Sequence, residues 1–194
     1  MTGTPLLELD TVCKYFGTTS PLTKKFRGVR AVDEVKLSID AGEAIGLVGE
    51  SGCGKSTLGR LAVRLLEPTS GTIRFDGRDI SGLSQSRLKP LRREMQMIFQ
   101  DPYASLNPRM TVRQTVARVL ALHSLPGGRD EVADVLSRCG LNPALMNRYP
   151  HEFSGGQRQR IAIARAIVNQ PRFVVCDEPV SALDASVQAQ VINL

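Results

Sequence analysis

Apolar and polar positions alternate over residues 6–14 and again over residues 32–39, most plainly at Val35, Leu37 and Ile39. That period of two predicts half-buried strands. Residues 17–30 between them read as a solvated surface loop carrying Lys24, Lys25, Arg27 and Arg30; contact with acidic lipid headgroups or a partner is the sharper alternative. Residues 44–48, Ala-Ile-Gly-Leu-Val, form a short apolar run bounded by glycine, the pattern of a buried parallel strand. Leu58, Leu61, Ala62 and Leu65 follow at helical spacing. Further on, residues 72–75 with the turn Asp76-Gly77-Arg78 predict a hairpin edge, and residues 95–99 another apolar strand. Over residues 111–140 the period becomes helical: Val112, Val116, Val119 and Leu120 share one face, Pro126-Gly127-Gly128 breaks the pattern, and Val132, Val135 and Leu136 mark a second helix. A helix over about 157–169, an apolar strand at 173–176 and a final amphipathic helix with Val187, Val191 and Leu194 in register complete the chain, in which no internal repeat is visible.

With 194 residues, 42% of them hydrophobic, the chain can bury a real core and suits one domain, with a lobe inserted. The net charge of +6 is scattered and forms no long basic block, which argues against direct nucleic-acid binding. Cys13, Cys53, Cys139 and Cys176 show no C-x-x-C spacing, so reduced thiols are expected and metal binding through them is not. The first ten residues, MTGTPLLELD, lack the form of a secretory signal, and the longest apolar helical stretch, 161–168, is interrupted by Arg165 and too short to span a bilayer. Any membrane role is therefore expected through a partner.

Residues 49–57, GESGCGKST, match the phosphate-binding pattern G-x-x-x-x-G-K-[ST] at Gly49, Gly54, Lys55 and Ser56. Glycines let the backbone wrap an anion with a nest of N–H groups, and a helix starting there adds its positive end. Lys55 can reach the outer phosphates and the Ser56 hydroxyl can ligate Mg2+; Glu50, Ser51, Gly52, Cys53 and Thr57 complete the loop. A chance match arises on the order of 1% of the time in a chain of this size. A second element is the strand at 173–176 ending in Asp177-Glu178, an apolar strand presenting carboxylates at its C-terminal end, where ligands of open α/β sheets bind. Asp177 suits Mg2+, and Glu178 is placed to orient or deprotonate an attacking water. A third is Ser154-Gly155-Gly156-Gln157 opening a long helix. Its bare amides suit an anion, but local physics favours a plain serine N-cap.

Taken together, GESGCGKST, IFQDPYASLNPRMTV, EFSGGQRQRIAIARA, VVCDEP and SALDASVQAQV occur in the order found in ABC-transporter ATPase subunits, which this chain resembles over nearly its whole length, in detail most like the oligopeptide and dipeptide importer branch. The resemblance implies an α/β fold: a P-loop NTPase core with a parallel sheet, an N-terminal antiparallel β subdomain, and a helical lobe over about 105–155 inserted in one domain spanning 1–194. It implies that Gln100 meets Mg2+ and the attacking water, that Phe16 stacks on adenine, with Tyr15 as the alternative, and that Ser154, Gly155, Gly156 and Gln157 touch ATP held by an opposite subunit. Residues 181–184, Asp184 among them, would line that dimer interface. The implied function is ATP binding and hydrolysis that energises import of peptides or a related solute, with Mg2+, a second ATPase subunit (identical or not), integral membrane permeases on the cytoplasmic face and, indirectly, an extracytoplasmic solute-binding protein.

The rival readings are a soluble ABC ATPase acting on nucleic acid or ribosomes, for which the tandem domains or basic-aromatic insertions are not found, and a truncated chain that binds nucleotide without hydrolysing it. The family places a switch histidine a few dozen residues beyond Glu178, and a strand between the phosphate-loop strand and the carboxylate-bearing strand. His123 and His151 both lie upstream, so a C-terminally incomplete domain is the expectation.

Overall fold

The computed structural model describes residues 4–19, 26–101, 105–179 and 188. They divide into two compact units, Met1–Lys89 and Pro90–Leu194.

In the first unit, β1 (Leu7–Thr19) pairs antiparallel with β2 (Phe26–Ile39) on one side and β3 (Ser70–Phe75) on the other, and β3 pairs with the short β4 (Arg78–Asp79), giving the order β2-β1-β3-β4. The alternation at Val35, Leu37 and Ile39 gives the half-buried face it predicts, while Leu7, Leu9, Val12 and Ile73 are buried at the centre. Asp76-Gly77 makes the expected hairpin turn. Two corrections concern this unit. First, β1 and β2 pair as far as Thr19↔Phe26, so residues 17–19 and 26–30 belong to a hairpin and not to a loop. A ladder of backbone hydrogen bonds extends them where the side chains show no alternation; Lys24 and Lys25 fall outside the described residues. Second, residues 44–48 form no strand, and Ile45, Leu47 and Val48 are 45%, 53% and 95% exposed. A buried parallel strand needs backbone partners on both edges, and residues 44–48 lie beside none among the described residues of this unit.

Helix α1 (Lys55–Ala62) follows directly and buries Leu58, Leu61 and Ala62. It ends before Leu65, which is 43% exposed, because the chain turns at Arg64. That arginine is 1% exposed and donates to the carbonyls of Ile80 at 2.8 Å and Leu66 at 2.9 Å. Burial lowers its pKa, and the carbonyl acceptors make the buried guanidinium tolerable. After the short α2 (Gln85–Leu88) the first unit closes.

The second unit is built on two parallel strands, β5 (Met95–Ile98) and β6 (Phe173–Cys176), in register Met95↔Phe173 to Ile98↔Cys176. Among the described residues the longer helices that accompany them are α3 (Val112–Leu122), α4 (Arg129–Arg138) and α5 (Gly155–Ile167). The predicted faces are buried at Val112, Val116 and Leu120 on α3, where Val119 is half-buried, and at Val132, Val135 and Leu136 on α4. All of the buried ones but Leu120 join Ile98, Phe153, Ile161 and Ala164 in one apolar core. Thr111 caps α3 through a capping box with Gln114, which fixes where that helix begins. No helix among the described residues is long and apolar enough to cross a membrane. The expected final amphipathic helix, with Val187, Val191 and Leu194, lies outside the described residues.

Candidate nucleotide-binding site

The loop at 49–57 turns back on itself before α1. Cys53 N donates to the Glu50 carbonyl at 3.3 Å, and Leu58 N to the Gly54 carbonyl at 2.9 Å opens the helix. Gly54 is the N-cap at φ 103°, a left-handed conformation, and a Cβ there would lie 2.1 Å from the Ala31 carbonyl oxygen of β2. Both the torsion and the packing against backbone therefore require glycine. No side chain caps α1 and no acidic residue occupies its first turn, so no carboxylate of the helix competes for the amides of that end. The Lys55 ammonium folds over the loop and donates to the Gly49 carbonyl at 2.7 Å and the Glu50 carbonyl at 2.6 Å. Gly49, Glu50, Ser51, Gly52 and Cys53 are exposed, and Gly54, Lys55, Ser56 and Thr57 half-buried. A glycine cradle with a lysine across it and no acid at the helix end is the donor set an anionic phosphate chain needs.

Of the two aromatic candidates on β1, Tyr15 is held and Phe16 is open. The Tyr15 hydroxyl donates to Asp33 Oδ1, and the Arg30 guanidinium sits 5.3 Å from the Tyr15 ring centroid. The hydrogen bond to Asp33 pushes the tyrosine pKa up and draws that of Asp33 down. Phe16 is 45% exposed, with the Lys14 ammonium over its ring at 5.3 Å. This arrangement had no local signal in the sequence: strand register, Tyr15 opposite Arg30, brings these groups together.

In the second unit, Asp177 and Glu178 follow β6 immediately, while Gln100 follows β5 by two residues. Since the two strands are parallel and in register, these side chains emerge at the same end of the pair. Asp177 N donates to the Ile98 carbonyl at 2.9 Å, and Asp177 is 8% exposed. Glu178 sits at φ 47°, in the left-handed region that costs a residue with a side chain about 1 kcal/mol or more. Gln100 Nε2 donates to Glu178 Oε2 at 2.8 Å.

Ser154 behaves as local physics favoured. Its Oγ accepts from Gln157 N at 3.3 Å, and Gln157 Oε1 accepts from Ser154 N at 3.0 Å, a complete capping box for the 13-residue α5. Gly155 and Gly156 make the first turn; a Cβ on Gly155 would meet nothing within 4 Å, so packing inside the chain does not explain that glycine. Arg158 was not singled out by the sequence, yet its Nε donates to the Pro150 carbonyl at 2.8 Å and ties the approach segment to the helix. Asp184 and the rest of residues 181–184 lie outside the described residues.

Comparison with known proteins accounts for this arrangement. Residues 32–181 match the ABC transporter family, well over half of the chain. The chain belongs to that family. It is 54% identical over 194 residues to the oligopeptide transport ATP-binding protein AppF of Bacillus subtilis (strain 168), a match covering 97% of this chain and 59% of that protein. Against OppF of the same organism, also named an oligopeptide transport ATP-binding protein, identity is 52%, covering 97% of this chain and 62% of the relative. A putative peptide import ATP-binding protein of Brucella ovis is 50% identical, covering 100% and 60%. The chain thus spans about three-fifths of the length of the curated relatives it matches. Among solved structures, a dimeric ATP-binding cassette in a post-hydrolysis state bound to ADP and Pi superposes with a TM-score of 0.84 at 28% identity, covering 96% of this chain and 80% of that one. An ABC transporter component from Clostridium perfringens gives 0.79 at 29% identity, covering 97% and 71%. The α/β class expected from the sequence, with an antiparallel N-terminal sheet and a parallel pair, is the one observed.

Proposed function

We propose that this chain is the ATP-binding part of a peripheral subunit that binds and hydrolyses ATP to energise import of peptides through membrane permeases. The single observation that carries the reading is the hydrogen bond from Gln100 to Glu178, at the common end of two parallel strands and next to the buried Asp177 carboxylate. It joins a base candidate to a partner from the neighbouring strand, in a chain that also folds a glycine cradle around Lys55.

In this reading Gly49, Glu50, Ser51, Gly52, Cys53, Gly54 and Thr57 wrap the phosphates, and Lys55 exchanges its two carbonyl acceptors for phosphate oxygens. Phe16, the exposed ring on β1, stacks on adenine. Ser56, Gln100 and Asp177 offer oxygen donors to Mg2+, which prefers hard oxygens and retains water. Among the described residues no group of three His, Cys, Asp or Glu is arranged to hold a metal, so phosphate oxygens and water would complete the ligand set of a Mg2+ ion held there. Held by these residues, the ion would supply positive charge against the phosphate oxygens. Glu178 orients the attacking water and takes its proton, while Gln100 holds the carboxylate in place.

Ser154, Gly155, Gly156 and Gln157 present the first turn of α5 to ATP on a second subunit, identical or homologous, with Asp184 at the same interface. The open space around Gly155 and the dimeric state of the superposing cassette support this arrangement. Peptides as cargo rest on the relatives, which are named oligopeptide transport and peptide import ATP-binding proteins; membrane permeases, an indirect solute-binding protein and a place at the cytoplasmic face of the membrane complete the proposal. Residues 1–194 are taken as one ABC-type domain with the helical lobe at about 105–155 inserted.

Equilibrium binding of Mg-ATP to the intact protein tests the site. Lys55→Ala removes charge-assisted contacts worth roughly 1.5–3 kcal/mol each, a loss of at least about tenfold in affinity with the fold retained. Unchanged affinity contradicts the assignment.

A further inference from the structure

Helix α5 carries a cation within its apolar stretch. Arg165 is half-buried, and its chain neighbours Ile163, Ala164 and Ala166 are buried. Its guanidinium donates through Nη1 to the carbonyl of Ser105, 60 residues away in the chain, and among the described residues no carboxylate pairs with it. Burial lowers its pKa, with no charge partner to offset that. Taking a cation out of water without a counter-ion is costly, so such a residue asks for a reason. An arginine that served only solubility would run its stem along the apolar surface and leave its head in water.

The reason lies in the stretch of chain that Ser105 ends. Gln100 follows Ile98, the last residue of β5, by two positions, and Ser105 follows Gln100 by five. Both ends of this short stretch rest against α5: Ile98 and Leu106 are buried in the apolar core with Ile161 and Ala164. Apolar contact is non-directional and sets no orientation for the main chain. A guanidinium fork fixes the carbonyl it binds in direction as well as place. Gln100 lies between these anchors, and its Nε2 holds the Glu178 carboxylate at 2.8 Å. A misplacement of about 1 Å in a catalytic array can cost on the order of 10²-fold in rate. We propose that Arg165 is a positioning residue for ATP hydrolysis: by clamping the Ser105 carbonyl to α5 it fixes the stretch that carries Gln100, and through Gln100 the direction of the Glu178 carboxylate. The inference rests on the ATP-hydrolysing reading above, which gives Arg165 no part.

Steady-state ATPase kinetics of the intact protein with the proposed permease partners, in a double-mutant cycle with Gln100→Ala, test it. Arg165→Met keeps an apolar stem and removes the donor. The expected result is a kcat lowered about threefold or more, up to the roughly tenfold of Gln100→Ala, with the KM for ATP nearly unchanged. Arg165→Lys keeps one ammonium in place of the planar fork, and its kcat should fall between those of Arg165→Met and the native protein. In the Gln100→Ala background neither substitution should lower kcat further, because the group through which Arg165 acts is gone. A native kcat in Arg165→Met overturns the proposal, and so does the same fold-loss in both backgrounds, which is what a merely structural arginine gives. If Arg165→Met does not fold, Arg165→Lys in the two backgrounds decides by the same comparison. A native kcat in Gln100→Ala alone would instead contradict the Gln100–Glu178 reading, and this proposal with it, so the two failures are told apart.

Discussion

Gln100 and Glu178, 78 residues apart, are joined by a hydrogen bond of 2.8 Å from Nε2 to Oε2. Parallel pairing of β5 and β6 makes the contact possible, and the left-handed backbone of Glu178 turns its carboxylate there. In the proposed function Gln100 therefore positions the base. Gln100→Ala in the intact protein should lower the ATPase kcat by roughly tenfold, the worth of one charge-assisted hydrogen bond, with the KM for ATP nearly unchanged. A kcat equal to that of the native protein contradicts this role.

The Ser154 capping box separates structure from function at the start of α5. Ser154→Ala removes the acceptor for Gln157 N and should cost about 0.5–2 kcal/mol in unfolding free energy. Ser154→Asp supplies an equally good cap, so the melting temperature should return, but its negative charge would face the phosphates of the partner's ATP and abolish turnover. Native ATPase activity in Ser154→Asp would show that the first turn of α5 does not meet nucleotide.

Asp33 sets an acid limit on the β1–β2 hairpin. The hydrogen bond from Tyr15 holds its pKa below the ordinary 3.8, with smaller help from Arg30. A carboxylate depressed in the folded state contributes stability above its unfolded pKa, and that contribution is lost as pH falls through the folded value. Urea midpoints followed downward from pH about 5 should therefore fall in the native protein with a component that Tyr15→Phe lacks. The Asp33 side chain is solvated, so the effect is small; coincident pH dependences for the two proteins contradict it.

Much of this fold is legible from local pattern. The alternation at Val35, Leu37 and Ile39, the helical faces of Val112, Val116 and Leu120, and the serine ahead of two glycines each specify an element through nearest neighbours in the chain. The phosphate loop is legible for the same reason, since Gly54 and Lys55 act within a few residues of one another. What escaped the sequence depends on distant partners. Residues 44–48 have the composition of a buried strand, but composition does not supply the neighbouring backbone that burial requires. The extension of β1 and β2 to Thr19 and Phe26 is a property of their register. Arg64 and Asn169 carry no visible mark in the sequence, because the carbonyls of Ile80 and Arg93 that receive them become neighbours only on folding.

The central claim is that Glu178 is the base of an ATP-hydrolysing site. Glu178→Gln preserves size and can still meet Gln100 while removing the proton acceptor. Steady-state ATPase assays on the intact protein with the proposed permease partners, run beside equilibrium ATP binding, test this most directly. The account predicts that turnover falls on the order of 10²- to 10⁴-fold, about 3–5 kcal/mol of barrier, with ATP affinity preserved. Undiminished hydrolysis by Glu178→Gln would contradict it.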